Sequence, residues 1–160
     1  MRTALIAAGL VLSTGAATAQ SSASAAESHA IIAFPGKITW GAAPAILPRG
    51  ADLAVVEGDP SKPGEFTMRL RMPDGYRIPA HFHPVTEHVT VVQGTFRVGM
   101  GDKFEASALK DLPTGTFAAL APGMRHFAAA KGETVIQLHG VGPWSLTYVN
   151  PTDDPRKQRK

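Results

Sequence analysis

Short runs of β-forming residues, cut off repeatedly by Pro, Gly and Asp, leave this chain few folds to choose from. The runs fall at 37–40, 52–57, 66–72, 76–83, 87–93, 95–100, 116–121, 126–130, 134–139 and 145–149. Many short strands with such punctuation predict an all-β sandwich or barrel. Two runs assign faces by alternation. Phe66, Met68, Leu70 and Met72 share one side, with Thr67, Arg69 and Arg71 opposite. Phe96, Val98 and Met100 lie opposite Thr95 and Arg97. The one helical expectation is 102–112, where Asp102 caps the start, Glu105 stands three residues on, and Pro113 ends the turn.

At 160 residues and 44% hydrophobic, the chain is long enough to bury one core. The segment 1–19 reads as a signal peptide: Arg2, an apolar stretch from Ala4 to Leu12, then Ala17-Thr18-Ala19 as a small-residue cleavage site. The stretch is well short of the roughly 20 residues that span a bilayer. The expectation is therefore a periplasmic or secreted protein with no membrane attachment after cleavage. A flexible Ser/Ala-rich leader follows at 20–30, then a single domain at 31–150 and a basic polar tail at 151–160.

The formal charge of +3 does not describe the body of the protein, since Arg2 and four of the last five residues exceed it. Without a basic face there is no surface for neutralising phosphates, so no nucleic-acid partner is expected. The sequence contains no cysteine, which removes disulfides, thiolate ligands and thiol nucleophiles. Any metal or catalytic chemistry falls to His and carboxylate.

Between Gly75 and Gly94 the chain reads GYRIPAHFHPVTEHVTVVQG, that is G-x5-H-x-H-x3-E-x6-G. Residues two apart lie on one face of a strand, so His81 and His83 point together. A turn at Pro84-Val85-Thr86 brings Glu87 back to them. The later stretch GTFAALAPGMRH, Gly115 to His126, adds a fourth donor after a turn at Pro122-Gly123. Alternation from Glu87 turns Val89 and Val91 inward and His88 and Thr90 outward. Gln137 and His139 share a face with Val135. That period allows both to enter the barrel and handle a proton or orient a ligand, and it equally allows them to be hydrogen-bonded polar residues at a strand end. Phe82 and Phe127, each following a histidine of the set, should point away from the site. Phe117, Ala119 and Ala128 are candidate pocket walls.

These two stretches resemble the two signature motifs of the cupin superfamily. The first motif is complete. The second carries Ala121 where the family usually has Pro and Ala130 where it usually has Asn, neither of them a ligand position. The resemblance implies a cupin-type double-stranded β-helix, or jelly-roll barrel. It implies ligation of one divalent transition metal by His81, His83, Glu87 and His126, and frequent homodimerisation, for which the outward Arg69, Arg71, Arg97 and His88 are the expected contributors. Three imidazoles and a carboxylate suit Fe, Mn, Ni, Cu or Zn. In an octahedral ion they leave two positions for a small-molecule substrate or dioxygen. The expected function is a metalloenzyme of non-haem dioxygenase type, with a non-catalytic binding or sensing cupin as the alternative.

Overall fold

The computed structural model describes residues 30–157. The signal peptide and almost all of the leader expected from the sequence lie outside them. Within them the chain forms nine strands: β1 (Gly41–Ala42), β2 (Asp52–Glu57), β3 (Gly64–Met72), β4 (Arg77–Phe82), β5 (Glu87–Met100), β6 (Lys110–Pro113), β7 (Phe117–Leu120), β8 (His126–Gly142) and β9 (Thr147–Tyr148).

Two long bent strands hold the barrel together. The runs at 87–93 and 95–100 join into β5, and those at 126–130 and 134–139 join into β8. The C-terminal half of β8 pairs with β3 and the first half of β5, while its N-terminal half pairs with β4 and the second half of β5. One layer therefore runs β1-β2-β3-β8-β5-β7, and the other β9-β4-β8-β5-β6. All the pairings are antiparallel, and the layers share β5 and β8 where these bend. This is the jelly roll expected of a cupin.

The bend is built from small residues and a buried hydroxyl. The β5–β8 register shifts between Gln93 and Thr95, where Gly94 has φ +75° and a side chain would run into the Glu133 carbonyl. Thr134, fully buried, donates from its hydroxyl to the Thr95 and Gly132 carbonyls. The final Gly of the first motif is thus a corner residue.

Alternation sorted β3 correctly. Phe66, Met68, Leu70 and Met72 are buried in the core with Ile78, Val89, Val91, Phe96, Ile136 and Leu138. On the outer face Arg69 donates to Gln137 and Arg71 to Asp52, with the Arg71 guanidinium 4.6 Å above the Trp40 ring. These arginines are tied down along the sheet surface.

The helix expected at 102–112 is replaced by a 3-10 turn, Ala106–Ala108, and by β6. Pairing with β5 wins: Leu112 faces Phe96, and Asp111 sits opposite Arg97 and accepts from it at 2.7 Å. Asp102 caps nothing and accepts from Arg125 instead. Near the C-terminus, Pro151–Asp153 forms a 3-10 turn, and buried Asp154 binds Arg156 through both carboxylate oxygens. Asp154 is thus packed against the domain, while Arg156 and Lys157 are exposed.

Candidate metal centre

His81, His83 and His126 meet inside the barrel, each of them buried, with one ring nitrogen of each within 4.8 Å of the others. A bulge makes this possible. In β4, Ile78 faces Ala128 and His81 faces His126, so β4 spends one residue more than β8 over that span. Strict alternation would turn Ile78 and His81 to opposite faces. The extra residue at Pro79-Ala80 turns both inward, and Pro79 has no N–H to lose from the ladder. His83 follows just past the end of β4, and Gly123 N–H donates to its carbonyl at 2.8 Å, fastening the Pro122-Gly123 turn beside it.

Each imidazole is held through Nδ1 by a backbone carbonyl: His81 by Pro79 at 2.7 Å, His83 by Ser145 at 2.7 Å and His126 by Met124 at 2.9 Å. A carbonyl only accepts, so Nδ1 carries the proton and Nε2 keeps its lone pair. The Glu87 carboxylate lies 3.4 Å from His83 Nε2 and 3.6 Å from His126 Nε2. His83 Nε2 is buried without a hydrogen-bond partner. Bare lone pairs facing a carboxylate at these distances repel unless a cation lies among them. The donor set fits a metal ion.

Burial lowers the pKa of His81 well below the usual histidine value of 6.5, and the neighbouring His126 and His83 push the same way. Burial also lowers that of His83, partly offset by the Glu87 charge. Neutral imidazole is the ligating form. The shifts also set the pH dependence of stability. The unfolded chain takes up protons at these histidines below about pH 6.5 while the folded chain does not, so stability is complete above that value and falls as the pH drops below it. Thermal unfolding of metal-free protein between pH 8 and 5 should show the midpoint holding to about 6.5 and then declining. A flat profile would mean that these rings are not buried neutral.

His81, His83, Glu87 and His126 line a cavity of about 30 Å3, room for about one water, whose other walls are apolar side chains including Leu70, Ile78, Phe96, Leu138 and Trp144. Ala128 lines it, as expected. Phe117 and Ala119 do not, because they face outward on β7, where Ala118 and Leu120 turn in. Phe127 points away from the metal cavity and packs on Phe104, centroids 5.2 Å apart.

Gln137 and His139 do share a face with Val135, but it is the outer one. On β8 it is Ile136 and Leu138 that enter the core. Gln137 accepts from Arg69, and His139 stacks on His88 at 4.8 Å across the β5–β8 ladder. Sequence reasoning missed Trp144, whose ring stacks on His83 at 4.9 Å. The carbonyl of the next residue, Ser145, holds the same histidine, and an indole two residues beyond a Gly-x-Gly was the available signal.

A jelly roll with converging imidazoles inside it defines a cupin with a cluster able to hold a metal ion. The chain belongs to the family described as the ChrR cupin-like domain, which matches residues 28–145. No curated protein matches the chain. Solved structures share its fold at low identity. The polyketide cyclase RemF from Streptomyces resistomycificus superposes with a TM-score of 0.61 at 12% identity, covering 79% of this chain and 89% of its own. A candidate acetylacetone dioxygenase from Methylibium petroleiphilum PM1 gives 0.60 at 17%, covering 81% and 88%. An RmlC-like cupin from Shewanella frigidimarina NCIMB 400 gives 0.53 at 15%, covering 69% and 89%.

Proposed function

We propose that the protein binds one divalent transition metal, Fe, Mn, Ni, Cu or Zn, through His81, His83, Glu87 and His126, and acts as a small-molecule metalloenzyme of non-haem dioxygenase type. One observation carries this reading: among the described residues, the four donors are the only titratable side chains lining the cavity. A bound metal would supply Lewis acidity and, for the redox-active ions, one-electron chemistry with dioxygen.

The chain's own residues prepare that site. The carbonyls of Pro79, Ser145 and Met124 keep the ring protons on Nδ1 and so leave Nε2 free to ligate. Glu87, the one acidic residue among the described residues of the lining, would partly neutralise a divalent ion. The apolar walls leave room for little water, which strengthens charge interactions inside. Gln137 and His139, on the other side of the sheet, take no part.

Protein reconstituted separately with Fe(II), Mn(II) and Ni(II) should consume dioxygen with at least one of a panel of 1,3-diketones, catechols and 2-oxo acids. Absence of uptake across the panel would reject the oxygenase reading. The small cavity favours a second reading, a binding or sensing cupin without turnover, since ligand pockets usually run to about 300–1,000 Å3. The same panel would then give binding without oxygen uptake.

A further inference from the structure

The two layers of the barrel do not close on every side. Among the described residues β6 pairs only with β5 in one layer, and β7 only with β5 in the other. Between these two free edges the layers hold a pocket of about 360 Å3, within the usual size of small-molecule sites. Val89, Val98, Leu112 and Leu120 give it apolar walls, and the short side chains of Ala108 and Ala118 leave its space unfilled. Phe96 lines both this pocket and the metal cavity. Met100 also lines it and is 54% exposed, a large apolar side chain left to solvent.

Among the described residues of this lining one side chain is charged, that of Lys110. Lys110 lies opposite Val98 in the β5–β6 ladder, just as Leu112 lies opposite Phe96. Alternation therefore puts it on the inner, apolar face of β6, and it is exposed there. The acid beside it, Asp111, faces the other way and accepts from Arg97 at 2.7 Å and from Lys131 at 3.0 Å. No described carboxylate pairs with Lys110. An unpaired cation on an otherwise apolar lining makes the pocket two-ended: burial favours an apolar body inside, and the charge favours an anion at the mouth.

We propose that this pocket binds a small carboxylate with an unbranched apolar chain, the chain lying between β6 and β7 and the carboxylate at the Lys110 ammonium. The site is separate from the metal centre, since none of His81, His83, Glu87 and His126 lines it. It selects acids over amines of the same length.

Octanoate is the probe. In protein labelled with 13C at the methionine methyls, octanoate should shift the Met100 signal and leave that of Met72, which is fully buried in the core, in place. Met68 lines the metal cavity and the pocket beside Trp144, so a shift there without one at Met100 would put octanoate elsewhere and overturn the inference. Octylammonium should bind more weakly than octanoate. Lys110→Met keeps an apolar stem and removes the charge. It should bind octanoate about fivefold more weakly, the size of a solvent-exposed ion pair, and 1-octanol no more weakly. Lys110→Glu should reverse the preference between octanoate and octylammonium, which a purely structural effect would not do. Ala118→Phe fills the pocket and should bind neither, with metal content unchanged. Equal octanoate affinity in Lys110→Met, or preference for octylammonium in the unsubstituted protein, would overturn the inference. So would a dimer that Ala118→Phe dissociates and octanoate does not enter, which would give the pocket to a second copy of the chain. The Met100 shift is read on the unsubstituted chain and stays decisive if a variant fails to fold.

Discussion

His126→Ala should leave the purified protein with little or no metal, its affinity reduced by more than about 100-fold. Loss of an outer-shell partner alone costs about 10–100-fold, and this change removes a ligand. His126 faces His81 directly across the β4–β8 ladder, with ring centroids 4.2 Å apart, and among the described residues of the lining no fifth donor stands by to substitute. Metal-to-protein ratio after dialysis, with circular dichroism to confirm the fold, reads the effect. Glu87→Gln keeps the shape and removes the charge, and should weaken binding less. His88→Ala should change nothing, since His88 lies on the outer face against His139. Metal lost from His88→Ala and kept by His126→Ala would place the centre on the wrong side of the sheet.

Phe127→Ala should destabilise the fold by about 3–5 kcal/mol, the usual cost of deleting a buried phenylalanine. Phe127 is 1% exposed and lies on the opposite face of β8 from His126. It fits against Phe104 and over Gly99, where a Cβ would collide with its ring. The missing side chain at Gly99 leaves a ring-shaped space that alanine at 127 cannot fill. The urea midpoint at constant slope measures the loss. A change below about 1 kcal/mol would show that the space collapses on truncation.

The sequence made the strands and the histidine set legible because both follow local periodicity. β2 falls where the run at 52–57 predicted it, and Glu87, Val89 and Val91 all turn inward. What escaped was long-range. The bulge that aligns His81 with His126 depends on the register of β8, which no pattern within 76–83 reveals. The face of Gln137 and His139 was ambiguous for the same reason: period two groups residues but does not say which group meets the core. Their neighbours Ile136 and Leu138 are the more apolar pair, and that contrast favoured the outer placement. The expected helix at 102–112 failed because cross-strand partners at Phe96 and Arg97 offered more than local capping could. Trp144 was missed because its importance comes from contact with a histidine 61 positions earlier.

The three carbonyls that orient the histidines differ in how far away they are along the chain. Pro79 and Met124 each stand two residues before the ring they hold, whereas Ser145 is 62 residues after His83. Two of the rings can thus be set by their own turns as soon as those turns form, but the third waits for the last part of the domain to dock. An ion held there at full strength would then report that the carboxyl-terminal segment has reached its place.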